Sequence, residues 1–257
     1  MRVNPDLKVS VEDHVAVLEM RRPPANHFDE SLIGRLADAA LELDEDRACR
    51  VIVLASQGRH FCAGADFGSG DFATDHVDAA DRLYRSAARL FDVRTPMIAA
   101  VQGSAVGGGL GLACAADFRV AEESTRFVAN FAKLGFHQGF GLSVTLPELI
   151  GRQAATGMLL TGRRVGGAEA VHLGLADRLA EPGLVRQTAH DLAREIAAGA
   201  PLAIRAMRAT LRGDLALRVR DALAHELAEQ KVLWSTADSA EGIAASLERR
   251  PPVFRGE

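Results

Sequence analysis

The 257-residue sequence contains no run of about 18 apolar residues, so no stretch reads as a helix able to span a bilayer. Its opening, MRVNPDLKVSVED, has neither the apolar core of a secretory signal nor the arginine-rich, acid-poor character of a transit peptide. Cysteine is scarce. Cys49, Cys62 and Cys114 are odd in number and widely spaced, with no C-x-x-C pair and no histidine at ligand spacing, which argues against a disulfide framework and against a metal site. An excess of charge is also missing: 34 acidic residues against 30 basic ones leave a formal charge of −4, so no general affinity for nucleic acid or an anionic membrane is expected. These absences predict a reduced, cytoplasmic protein.

What the chain does have is a 48% hydrophobic composition, enough for a substantial core, and two stretches where apolar strands run into glycine. From Met97 to Asp117 the sequence reads MIAAVQGSAVGGGLGLACAAD, a buried strand, a glycine cluster at 107 to 109, and an apolar helix. Glycines there let a ligand lie against the main chain and point the first N–H groups of the helix at it, a geometry suited to an anion or a developing oxyanion. The same glycines are also compatible with a helix that simply packs closely on a strand. A dinucleotide fingerprint fails on spacing, since Leu112 or Cys114 stands where the third glycine of G-x-G-x-x-G belongs; no Lys-Ser or Lys-Thr pair completes a P-loop.

The second stretch, Val51 to Phe67, VIVLASQGRHFCAGADF, also ends a β-branched strand on small residues. Around these two lie the other elements. A hairpin turns at Glu12-Asp13-His14, a helix is expected with Ser31 as its cap and Leu32, Leu36, Ala39 and Leu43 on one face, and a Gly/Asp-rich loop covers 66 to 78 before a helix from about Ala79 to Phe91. A second strand–turn–helix–strand passage runs from Met97 to Val120. Gly135 to Gly141 forms another glycine loop, followed by helices near Leu142 and Ala154; from Pro201 the pattern is helical, with Asp238 expected to cap the last helix.

The A-G-A-D of residues 63–66, the G-G-G of residues 107–109, the Arg22-Pro23-Pro24-Ala25-Asn26 loop and the DSAEGIAASLERRPPVFRG tail occur together in one order, and in this the chain resembles the enoyl-CoA hydratase/isomerase (crotonase) superfamily over nearly its whole length. The resemblance implies an α/β fold, a crotonase-like ββα spiral core over residues 1–198 that binds acyl-CoA, and a helical region over 199–257 that forms trimers, often paired into hexamers. It implies a lyase or isomerase acting on an acyl- or enoyl-CoA thioester, with coenzyme A as part of the substrate. By resemblance the backbone N–H groups of Ala65 and Gly108 form the oxyanion hole, and Arg22, Ala25, Ala63, Asp66, Phe67 and Phe254 contact the CoA moiety.

One departure from the pattern is decisive for chemistry. Hydratases of this family use two glutamates, and their positions here are Gly111 and Phe131; the acid position of some isomerases is Gly139. Neither glycine nor phenylalanine moves protons, so an efficient standard hydratase is not expected. His137, in the neighbouring loop, is the candidate base by residue type, against an ordinary packing role. The alternative to an enzyme is a protein that binds acyl-CoA without turning it over.

Overall fold

The computed structural model describes residues 5–65 and 76–257, so Asp66, Phe67 and most of the expected 66–78 loop lie outside the described residues. Leu7–Glu12 (β1) and Val15–Met20 (β2) form the expected antiparallel hairpin. Val51–Ser56 (β3), Met97–Val101 (β4), Phe118–Glu122 (β6) and Arg178–Ala180 (β9) then add in parallel, giving a six-stranded sheet in the order β1-β2-β3-β4-β6-β9. Strand numbers climb steadily across this sheet. A doubly wound dinucleotide fold reverses direction at a switch point, and here there is none.

The continuous apolar run of β3 follows from its place in the sheet, because both faces are covered. Val51, Val53 and Ala55 join Ile98, Ala100 and Val120 against the helix Val185–Ala197 (α6), whereas Ile52 and Leu54 point into the larger core with Leu32, Leu36 and Phe61. That core is closed by the helices Glu30–Glu45 (α1) and His76–Leu90 (α2). The first of these starts two residues earlier than expected. Asp29, not Ser31, is the cap, because its extended backbone lets the carboxylate accept the Leu32 N–H at 2.8 Å, while the Ser31 hydroxyl faces Arg35.

A second sheet is not visible as periodicity, since its strands are three residues long. Ser104–Val106 (β5), Arg126–Val128 (β7) and Arg164–Gly166 (β8) pair in the order β5-β7-β8, each burying its central side chain, Ala105, Phe127 or Val165, and β7 burying Val128 as well. Helix Gly108–Ala115 (α3) leaves β5 through the glycine turn. Helix Leu142–Thr161 (α4) breaks at Gly151, whose φ of +76° divides it into two arms near the expected second start. Gly167–Leu173 (α5) precedes β9.

The tail forms Pro201–Arg212 (α7), Leu215–Leu233 (α8) and Ala237–Glu248 (α9). Thr236, not Asp238, caps the last helix: its hydroxyl accepts the Ser239 N–H at 3.1 Å, and the Asp238 carboxylate instead takes the N–H groups of Arg255 and Gly256, folding the C-terminal segment back. Asp117 anchors α7 to the sheet, receiving Arg208, Arg212 and the Met97 N–H. Helix α8 packs on α2 and α4 of its own chain.

One contact fixes α8 to α4. The fully buried Glu226 accepts the N–H groups of Gly141 at 2.8 Å and Ser143 at 2.9 Å, supplying acceptors at a helix start that has no side-chain cap of its own. Burial dominates over these bonds and raises its pKa from 4.5 to about 6. The folded protein therefore holds this proton more tightly than the unfolded chain, and the stability contributed by Glu226 falls as pH rises from below 4.5 to above 6. Denaturant unfolding of the protein and of Glu226→Gln is expected to show their difference moving toward the glutamine variant by about 2 kcal/mol between pH 4 and 7. Movement the other way would show that the helix N–H groups hold the carboxylate ionised.

Candidate active site

The two glycine-bearing strand ends meet. After β3 the chain lies alongside β5: Phe61 N–H bonds the Gln102 carbonyl at 2.9 Å, Cys62 N–H bonds Ser104 at 3.0 Å, and Val106 N–H returns to Cys62 at 3.0 Å. Each glycine of the cluster has its own reason. Gly107 has a φ of +55°, Gly108 leaves room for the Phe28 ring edge 2.5 Å from where a Cβ would stand, and Gly109 lies so close to the Cys62 carbonyl that no side chain fits. Across from them, Gly64 (φ +91°) places a would-be Cβ 2.9 Å from the Val106 carbonyl and 3.6 Å from the Gly108 nitrogen.

Ala65 and Gly108 thus line one cavity of about 180 Å³. The Gly108 N–H is the first of α3 and has no intrahelical acceptor, and neither nitrogen donates a hydrogen bond among the described residues. Phe28 N–H and the His27 Nδ1, 3.1 and 3.3 Å from the Gly64 carbonyl oxygen, hold the peptide that carries the Ala65 N–H.

The three acid positions are not merely unoccupied. A side chain on Gly111 would meet the Phe140 Cβ at 2.5 Å, one on Gly139 would collide with the Tyr84 hydroxyl, and Phe131 is itself buried against the cavity. Among the described residues no carboxylate and no cationic Lys or Arg lines the space. Its polar side chains among the described residues are the neutral Asn130, Tyr84, Gln230 and Ser246 and the Trp234 indole, together with His27. Burial pushes the Tyr84 phenol up, so it stays protonated; it donates to Gln230 Oε1 at 2.8 Å, and Gln230 Nε2 donates to the His137 carbonyl at 2.8 Å.

The site residues named from sequence divide accordingly. Ala63, Ala65 and Gly108 come together at the cavity. His137 does not line it: its Nδ1 pairs with the Gln138 carbonyl and its ring stands edge-on to His225 at 5.8 Å, so only its backbone oxygen contributes, by holding Gln230. The Arg22 guanidinium pairs with Asp6 and Asp29 at 2.9 and 3.0 Å. Ala25 supports the site through its carbonyl, which accepts the Ala63 N–H at 3.0 Å. Phe254 is 41% exposed on the tail, away from the cavity. Cys62 is a buried, unreactive thiol, with its pKa raised by burial to about 12.

His27, Tyr84, Asn130 and Gln230 were not recognisable as site residues. Tyr84 sits in the Ala80–Leu83–Tyr84–Ala87 stripe of α2 and reads as core; Gln230 interrupts an amphipathic helix 146 residues away, and nothing local pairs the two.

A spiral of parallel strands whose exits present to one cavity two main-chain N–H groups that have no acceptor among the described residues defines a crotonase-fold protein. The enoyl-CoA hydratase/isomerase family profile matches residues 10–257, and the chain belongs to that family. It is 35% identical to a provisionally named enoyl-CoA hydratase of Thermus thermophilus, over 94% of this chain and 97% of the relative. It is 32% identical to carnitinyl-CoA dehydratase of Salmonella enteritidis, over 93% and 94%. The crystal structure of an enoyl-CoA hydratase from Mycobacterium avium subsp. paratuberculosis superposes with a TM-score of 0.85 at 27% identity, covering 97% of this chain and 98% of that one.

The contact between Gly111 and Phe140 makes a direct prediction. Overpacking a filled position typically costs about 1–3 kcal/mol. Because the nearest atom is the Phe140 Cβ itself, Gly111→Ala should be destabilising alone and much less so when Phe140→Gly makes room, giving a coupling of at least about 1 kcal/mol in a double-mutant unfolding cycle. Additive losses would mean that Phe140 does not fill the acid's place.

Proposed function

We propose that the protein binds an acyl- or enoyl-CoA thioester with its carbonyl oxygen between the N–H groups of Ala65 and Gly108, and that it is not an efficient standard hydratase. One observation carries this reading: two unpaired main-chain donors face a cavity in which no described side chain is a carboxylate. Charge building on the thioester oxygen is met by fixed dipoles in an apolar space, where each donor contributes roughly 3 kcal/mol to a transition state. The proton cannot travel through Gly111, Phe131 or Gly139. Of the groups that face the cavity, His27 is by residue type the one able to exchange a proton, whereas the single Tyr84 proton is donated to Gln230 and its buried phenol does not serve as a base near neutral pH. The absence of a lining carboxylate also favours the second reading, an acyl-CoA-binding protein without turnover.

The thioester carbonyl stretch of a bound acyl-CoA tests the hole directly. Polarisation between two donors lowers its frequency. Gly108→Pro removes one N–H and Gly108→Ala keeps it while adding bulk against Phe28, so the shift should survive in the alanine variant and largely vanish in the proline one. Equal shifts in both would reject Gly108 as a donor. Crotonyl-CoA hydration should run at least about 10²–10⁴-fold below that of a two-glutamate hydratase; efficient hydration would show that another group does the glutamates' work.

Assembly into trimers or hexamers belongs to the same proposal. Helix α7 has no buried residue, and Leu202, Met207 and Leu211 are 81%, 62% and 87% exposed, an apolar face that a neighbouring subunit would cover. Light scattering is expected to give three or six times the 27.4 kDa of the chain. A stable monomer at micromolar concentration would sink this assignment.

A further inference from the structure

The chain has few aromatic residues, eleven Phe, one Tyr and one Trp, and they are not evenly spread. Phe28, Tyr84, Phe131, Phe136, Phe140 and Trp234 all line the cavity that holds the Ala65 and Gly108 donors. They come from the loop before α1, from α2, from the short helical turn Phe131–Lys133, from the glycine loop and from the residue that follows α8, so no single amphipathic stripe accounts for their convergence. Their rings form contiguous pairs: Phe28 and Phe140 at 5.5 Å, Phe131 and Phe136 edge-on at 6.1 Å, Phe136 and Trp234 edge-on at 5.8 Å.

Building on the acyl-CoA reading, we infer that the acyl group this site accepts is an uncharged aryl group of a single ring. Size, charge and surface each point there. The cavity is about 180 Å³, slightly larger than the roughly 150 Å³ apolar cavity that accommodates one benzene. A ring with a short linker to the thioester fits such a space; a long alkyl chain does not. No described lining residue is Asp, Glu, Lys or Arg, so a charged acyl group would lose its hydration without finding a counter-ion. Rings arranged edge to face present both positive edges and negative faces, and a flat aryl group gains from that electrostatic pattern beyond the area it buries. An alkyl group of equal carbon number gains area alone. Each aryl–ring contact is worth roughly 2- to 10-fold in affinity by this argument.

The filled acid positions belong to the same design. Phe140 stands against Gly111 and Tyr84 against Gly139, so the groups that remove space for a carboxylate are the ones that wall the acyl pocket with rings. The site has exchanged proton-transfer groups for aromatic surface at the same two places.

The test is calorimetric binding of a matched set: 3-phenylpropanoyl-CoA, 3-cyclohexylpropanoyl-CoA, nonanoyl-CoA, acetyl-CoA and free CoA. The first three carry the same number of acyl carbons. The phenyl thioester should bind at least about 10-fold tighter than the cyclohexyl and nonanoyl thioesters. Phe136→Leu should bring the phenyl-to-cyclohexyl ratio toward one; Trp234→Leu reads the same ratio if the first variant does not fold. A cyclohexyl or nonanoyl thioester that binds as tightly as the phenyl one overturns the aryl assignment and leaves the acyl-CoA reading standing. If no thioester binds better than free CoA, the acyl-CoA reading itself fails and takes this inference with it.

Discussion

Everything at the site depends on a close approach of two backbones. The Cys62 carbonyl comes so near Gly109 that the helix start can sit there only without a side chain, and this brings the exit of β3 alongside β5 in a short parallel ladder. Main chain against main chain is the most rigid way to fix two N–H groups at a set separation, because neither donor has a rotamer to lose. The ladder bonds from Phe61, Cys62 and Val106 satisfy the neighbouring amides, whereas the N–H groups of Ala65 and Gly108 donate no hydrogen bond among the described residues. A larger residue at position 109 would act first on this distance and only then on stability.

The same economy of space decides the chemistry. An acid needs a Cβ before it can have a carboxylate, and at Gly111 and Gly139 the Phe140 and Tyr84 side chains already occupy the volume. On the proposed acyl-CoA reading, this separates the energetic contributions of the site: fixed dipoles would stabilise negative charge on an oxygen, whereas movement of a proton would fall to neutral groups or to the substrate. Tyr84 illustrates how burial sets such a role: away from water its phenolate is disfavoured, and its hydrogen bond to Gln230 orders a neutral hydroxyl that serves as wall and donor.

How much of this was legible in sequence depends on the range of the interaction. The hairpin, the buried run of β3, β4 and the glycine turn each announce themselves within a dozen residues, whereas the choice of Ala65 and Gly108 as a pair rests on the family resemblance. The three-residue strands β5, β7 and β8 carry no period of their own; their existence is set by partners at positions 104–106, 126–128 and 164–166. Caps were misplaced at Ser31 and Asp238 because several eligible oxygens lie within two residues, and only backbone conformation chooses among them. His137 drew notice as the imidazole of a glycine loop, yet side-chain direction is settled by tertiary packing, and His27 is the imidazole that reaches the cavity.

The tail adds a consequence for specificity. Gln230 of α8, Trp234 directly after that helix, and Ile243 and Leu247 of α9 close the cavity that the spiral opens, and Glu226, one turn before Gln230, is tied to the first turn of α4. On the proposed acyl-CoA reading, the oxygen-binding end of the site belongs to the glycine turns, and part of the acyl wall to segments more than a hundred residues further along the chain. Substitutions in α8 or α9 can reshape the wall without touching Ala65 or Gly108, whereas substitutions at Gly108 or Gly109 alter the donors for any acyl group. A fold organised in this way lets acyl preference drift while thioester polarisation is kept, because the two properties rest on separate segments that meet only across the cavity.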